Sequence, residues 1–184
     1  MNAKTSIVIH ANPVQPQLRR HLQALLQSWR ETGVPPRWQL MNTLQELLEW
    51  RANQDIQGLW NPPPLLATAT LDDGWGHGLE VIETCGRAAG LRIERLGLLI
   101  SAEQIIDRCR QMRPQLLGLT LLQLDSEVSL RQITEELRGL TKVLVGGPPF
   151  RIDPELAART QVGYVARDVA DFLDFILNSN IVQL

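Results

Sequence analysis

Asp73-Gly74-Trp75-Gly76-His77-Gly78 sets a carboxylate, an indole and an imidazole among three glycines. The run follows Leu65-Leu66-Ala67-Thr68-Ala69-Thr70-Leu71, which reads as a buried strand, and precedes a helical pattern that begins at Leu79. Glycines between a strand and a helix remove Cβ atoms and permit positive φ, so the backbone can approach a ligand closely. The start of the following helix adds unpaired N–H groups. His77 offers a nitrogen lone pair to a metal, and Asp73 can orient a ligand or cap the helix. The Trp75 indole has no lone pair to give.

Nothing else in the chain competes as a catalytic constellation. No Ser/His/Asp or Cys/His set is brought together by the topology, and His10 and His21 lie away from the glycine loop. Cys85 and Cys109 fall on helical segments without C-x-x-C spacing, which predicts two reduced, half-buried thiols rather than a zinc site or disulfide. A net charge of −2 and a single basic pair, Arg19-Arg20, argue against a nucleic-acid partner. No apolar run reaches the roughly 18 to 20 residues that span a bilayer, and no secretory pattern opens the sequence, so a soluble, cytoplasmic protein is expected.

Pro62-Pro63-Pro64 marks a stiff connector that divides the chain. Residues 1–61 read as a helical N-terminal region. Leu18, Leu22, Leu25, Leu26 and Trp29 have helical spacing over 17–32, and Leu40, Leu44, Leu47, Leu48 and Ile56 have it over 38–56. Such a pair cannot bury its own faces, so it must dock on the rest of the chain or form a homodimer through a second copy. Trp29, Trp38, Trp50 and Trp60 are expected to fill that interface or to shield a reactive face.

Residues 62–184 alternate strand and helix. Strands are expected at 65–71, 91–96, 116–121, 142–145 and 162–165, with helices at 80–89, 102–112, 127–137, 154–159 and 169–177. Ser101-Ala102-Glu103-Gln104 has the form of a capping box, Asp153-Pro154 that of a helix start, and Gly90 that of a helix end. The fold class is therefore α/β: a doubly wound five-stranded parallel sheet, flavodoxin-like or Rossmann-like, preceded by a short helical region. Right-handed crossovers gather the strand-to-helix loops at one edge, where ligands of such sheets bind. Three loops there are unusual: 73–78, Gln123-Leu124-Asp125-Ser126 and Gly146-Gly147-Pro148-Pro149.

Read together, these loops resemble the cobalamin (vitamin B12)-binding domain of methionine synthase, of corrinoid proteins in methyltransferase systems and of adenosylcobalamin mutases. That family carries D-x-H-x-x-G after the first strand, S-x-L in the third and a G-G pair after the fourth. Counting back from Ala88-Ala89-Gly90, Asp73 and Gly78 fall on the motif's ends. Thr120-Leu121-Leu122 stands at S-x-L, and Gly146-Gly147 at G-G. Gly163-Tyr164 followed by Asp168 is similar to the family's last strand and helix start.

The resemblance implies a cobalamin or other corrinoid cofactor contacted by Asp73, Gly74, Trp75, Gly76, His77, Gly78, Thr120, Leu122, Gly146, Gly147 and Tyr164. The hydroxyl of Thr120 takes the place of the serine that meets the buried nucleotide tail. The family's lower-ligand histidine falls on Trp75. Three outcomes are then open: the cofactor's own base stays on cobalt, His77 becomes the metal ligand, or the pocket holds another tetrapyrrole or nothing. The resemblance further implies a carrier that presents its cofactor to a methyltransferase or reductase and catalyses nothing alone. The alternatives are a sensor of cobalamin or haem, and a degenerate domain kept as an interaction scaffold. A response-regulator receiver lacks its Lys after the last strand, and a flavodoxin-type flavin binder lacks its phosphate loop.

Overall fold

The computed structural model describes residues 16–72 and 76–181. Helices α1 (Pro16–Thr32) and α2 (Arg37–Asn53) come first among the described residues. Then follow β1 (Leu65–Thr70), α3 (His77–Ala89), β2 (Arg92–Gly97), α4 (Ala102–Met112) and β3 (Leu116–Thr120). A 3-10 turn over Leu124–Ser126 leads into α5 (Glu127–Glu136). The chain continues through β4 (Lys142–Gly146), α6 (Pro149–Ile152), α7 (Leu156–Arg159), β5 (Tyr164–Val165) and α8 (Val169–Asn178).

All strand pairs are parallel, in the order β2-β1-β3-β4-β5. The five-stranded, doubly wound sheet expected from the sequence is present. Side chains alternate across it with the period of two that a strand imposes. Leu66, Leu116 and Leu144 face α3 and α8, whereas Ala67, Leu117, Leu119, Val143 and Val145 face α4 and α5. Both faces are covered, which is why the central strands read as continuous apolar runs.

The two N-terminal helices add a further layer on the α3/α8 face, α1 against α8 and α2 against α3. Leu18, Leu22, Leu26 and Trp29 share one core with Leu66, Leu116 and Phe172. Trp29 and Trp60 are buried packing residues, but Trp38 is 68% exposed. Cys85 and Cys109 are free and fully buried rather than half-buried, and burial pushes both thiols up to about 12.

Several boundaries differ from expectation for physical reasons. The capping box forms at α4: Gln104 N–H donates to Ser101 Oγ and the Gln104 side chain accepts from Ser101 N–H. Gly90, at φ 102°, ends α3. Asp153 does not start a helix at Pro154. Its Oδ1 accepts from Glu155 N–H, and it separates the short α6 and α7, because Pro148-Pro149 starts a turn of helix earlier. Helix α3 begins at His77, so His77 and Gly78 belong to its first turn and not to the preceding loop.

Glu83 on α3 is 2% exposed and ties the helix to the sheet. Its Oε1 accepts from Thr68 Oγ1 of β1 at 2.7 Å and from Arg95 Nε at 2.7 Å, and its Oε2 accepts from Arg95 Nη2 at 2.6 Å. Burial pushes the Glu83 carboxyl up, but the bonds from Arg95 and Thr68 and the charges of Arg95 and Arg87 outweigh it and hold it below its ordinary 4.5. A carboxylate with a depressed folded value contributes stability above the unfolded value, lost as pH falls through the folded one. Glu83→Gln is expected to cost about 2 kcal/mol at neutral pH. Urea unfolding should show the gap from the unsubstituted protein closing as pH falls below 4.5.

Candidate functional site

A cavity of about 360 Å³ opens at the carboxyl edge of β3 and β4, between α3 and α8. It exists because the sheet loses side chains there. On the face towards α3 and α8, β3 runs Leu116, Gly118, Thr120, and Gly118 and Thr120 pair with Leu144 and Gly146 of β4. Two glycines thus replace the leucines that fill the same face one turn of pleat earlier. Leu79 and Ile82 of α3 form one wall, Val169 and Phe172 of α8 the other, and Val34 from the loop between α1 and α2 and Leu40 of α2 close the top.

The lining is mainly apolar. Its polar groups are the Thr120 hydroxyl and, at the mouth, Arg167 and Asp168. Both charged side chains are engaged locally. Arg167 donates from Nε to Asp171 Oδ2 at 2.6 Å, which holds the Asp171 carboxyl below its ordinary range, and Asp168 caps α8 by accepting from Asp171 N–H at 2.9 Å.

The expected site residues separate into three groups. Gly78, Thr120, Leu122, Gly146 and Gly147 all line the cavity. Gly76 caps α3 in the left-handed region at φ 68°, and His77 is exposed at the first position of that helix. Tyr164 lies elsewhere: its hydroxyl donates to the Asp171 carbonyl at 3.0 Å and its ring packs on Phe175, with centroids 4.7 Å apart. Asp73, Gly74 and Trp75 lie outside the described residues.

Sequence reasoning missed Gly118 and the roof residues Val34 and Leu40. A glycine in mid-strand was the available signal for the first; only packing reveals the others. It also missed Asp72, which is 5% exposed. Asp72 Oδ2 accepts from Leu122 N–H at 2.7 Å, Gln123 N–H at 3.0 Å and Ser126 Oγ at 3.4 Å, joining the loop after β1 to the loop after β3. A second link runs to the loop after β2, where Leu99, at φ 52°, donates its N–H to Thr70 Oγ1 at 3.0 Å. The loop after β4 is drawn in as well, since Leu121 N–H donates to the Gly146 carbonyl at 2.9 Å.

Sheet order, the cavity at its carboxyl edge and the glycine pair together define a ligand-binding doubly wound domain. A family model for the B12 binding domain matches residues 65–171, and the chain belongs to that family. No curated protein matches it by sequence. Among solved structures it is similar to a cobalamin-binding protein from Desulfitobacterium hafniense DCB-2, with a TM-score of 0.72 at 20% identity over 90% of this chain and 82% of that one. It is also similar to the monomethylamine corrinoid protein of Methanosarcina barkeri, with a TM-score of 0.57 at 17% identity over 87% and 79% of the two chains. The methanol:cobalamin methyltransferase complex MtaBC of the same organism gives 0.64 at 15% identity over 88% and 66%. The shared fold includes the two helices that precede the sheet.

Gly147 is the tightest point of the site. At φ 123° any side chain is strained, and a Cβ would lie 1.8 Å from the Leu121 carbonyl oxygen. Gly33, at φ 86°, has open space around it. Gly147→Ala is expected to lower stability by more than about 2 kcal/mol and Gly33→Ala by about 1 kcal/mol or less, a contrast that thermal unfolding of the two variants will measure.

Proposed function

We propose that this protein binds a corrinoid, takes the cofactor's nucleotide tail into the cavity between α3 and α8, and presents the cobalt to a partner protein for methyl transfer. The cavity is the observation that carries the reading. Its size falls in the range of small-molecule sites, it sits at the carboxyl edge of the sheet, and Gly118 and Gly146 form a floor on which a flat base can lie. Thr120 supplies one hydroxyl at that floor, and Gly78 lets α3 pass close above it, for a Cβ at position 78 would lie 3.2 Å from Thr120 Cγ2.

When bound, the corrin supplies a cobalt centre able to accept and release a methyl group. The chain's own part is to hold, orient and cover. Leu98, Leu99, Leu122 and Leu124 are exposed apolar side chains on loops at the edge where the macrocycle would rest, a surface suited to a broad apolar ring. A tail held in the cavity is not on the cobalt, and Trp75 has no lone pair to replace it. On this reading the side chain at position 75 is not a ligand to the lower face. Methyl transfer as the task is supported by two of the similar structures, a monomethylamine corrinoid protein and a methanol:cobalamin methyltransferase complex.

Mixing the purified protein with aquocobalamin or methylcobalamin, followed by gel filtration, should leave the corrinoid on the protein with a base-off visible spectrum. His77→Ala should leave that spectrum unchanged; a shift would place the imidazole on cobalt. Gly118→Leu fills the cavity from a position where a Cβ meets only ordinary contacts, the nearest at 3.5 Å. That variant should fold and yet lose at least about tenfold in affinity, equivalent to 1.4 kcal/mol. No corrinoid retained by the unsubstituted protein sinks the proposal.

A further inference from the structure

We infer that Asp72 is a binding residue with divided duties: its Oδ2 holds the protein's loops and its Oδ1 accepts a hydrogen bond from a primary amide on the rim of the corrin ring. The inference rests on the corrinoid reading and adds to it a residue outside the D-x-x-x-x-G frame of Asp73 and Gly78.

Three observations converge on this carboxylate. The first is position. In the order β2-β1-β3-β4-β5 the chain reverses direction between β1 and β3, and ligands of doubly wound sheets bind in the crevice at that point. Asp72 lies two residues past the end of β1 and reaches across to the backbone after β3, so it spans the crevice.

The second is an imbalance between its oxygens. Oδ2 takes three donors, whereas Oδ1 is buried and has no hydrogen-bond partner among the described residues. A buried, unmatched carboxylate oxygen is costly, and folded proteins retain few of them without a use. The nearby Thr70 hydroxyl is already spent, donating to the Asp72 carbonyl.

The third is contact with the site. Leu122, whose N–H is fixed by Oδ2, lines the cavity. An acceptor on the residue that holds this lining backbone calls for an N–H or O–H donor on the ligand, and the corrin periphery bears acetamide and propionamide groups. A neutral amide donor also suits a carboxylate that already has three donors on its other oxygen.

Asp72→Asn separates the two duties. The asparagine oxygen must face the Leu122 and Gln123 N–H groups, which leaves its NH2 where Oδ1 stood, a donor in place of an acceptor. The variant without cofactor should melt within about 3 °C of the unsubstituted protein, since the interloop bonds persist. Its affinity for aquocobalamin, read from the visible spectrum, should fall about 10- to 100-fold, the effect of losing one bond to a charged acceptor.

Cobalamins in which single ring amides are hydrolysed to carboxylates provide the matching arm. One such derivative should bind the unsubstituted protein poorly and Asp72→Asn better, because the new NH2 can donate to the new carboxylate. If the unsubstituted protein binds cobalamin and Asp72→Asn binds it equally well, or no derivative reverses the preference, the assignment is overturned. It is likewise overturned if Asp72→Asn fails to fold or melts well below the limit given, since the carboxylate then serves the fold alone. Absence of cobalamin binding in the unsubstituted protein overturns the corrinoid reading itself.

Discussion

The anchorage of α3 is the constraint on which the rest of the structure depends. This helix is fixed at its middle and at its carboxyl end. In the middle, Glu83 binds Arg95 of β2 through two oxygens and Thr68 of β1 through one. At the end, Arg51 Nη1 donates to the Arg87 and Ala88 carbonyls, where the helix dipole favours a cation, and the Leu59 N–H donates to the Ala89 carbonyl. At the amino end the ion pair from Arg37 to Glu80 is exposed on both sides and contributes under about 1 kcal/mol. The site sits beside the amino end of this helix, whose Gly78, Leu79 and Ile82 line the cavity.

The N-terminal helices complete that arrangement. Arg51, the residue that closes α3, belongs to α2, and its Nη2 also donates to the Gln57 carbonyl at 2.5 Å, so one guanidinium binds the N-terminal region, the connector and the sheet layer together. The same helices and the loop between them roof the cavity through Leu40 and Val34. Removing them would strip α3 of its carboxyl-end clamp, α8 of its apolar cover and the cavity of its top. Their tryptophans divide the labour: Trp29 and Trp60 pack inside, Trp50 tilts against His21 with ring centroids 4.2 Å apart, and Trp38 stands in water within the first turn of α2.

The fold was legible because its strongest signals are local. Strands buried on both faces give unbroken apolar runs, and the Ser101 capping box and Gly90 are chemistry of neighbouring residues. The site was legible where it depends on backbone approach, at Gly78, Gly146 and Gly147. It was not legible where it depends on contacts between distant segments. Asp72 sits beside the motif carboxylate Asp73, and nothing local tells which of two adjacent aspartates crosses to residues 122 and 123. Tyr164 matched a family position, yet its hydroxyl is drawn to the Asp171 carbonyl one turn along α8, a bond set by the packing of that helix. The stretch 149–159 defeated boundary reading because two prolines start a short helix, Pro149–Ile152, ahead of the one expected at 154–159, and the Asx turn at Asp153 delays the second to Leu156–Arg159.

On the corrinoid reading proposed above, a tryptophan at the motif's histidine position changes what the protein must do for its cofactor. A histidine ligand stabilises cobalt by donating electrons, and its carboxylate partner tunes how strongly it does so. An indole can only exclude water and restrict approach to the lower face. Under that proposal binding strength would have to come from elsewhere: from a tail in the apolar cavity, from exposed leucines under a broad ring, and from a few buried polar atoms near the ring's edge. The geometry favours those sources. Gly118 and Gly146 clear the cavity, the left-handed Leu99 holds a leucine at the rim, and Asp72 keeps one oxygen free of protein donors among the described residues. A site built this way would recognise the shape and periphery of the cofactor and leave the metal's lower coordination position to be governed by access.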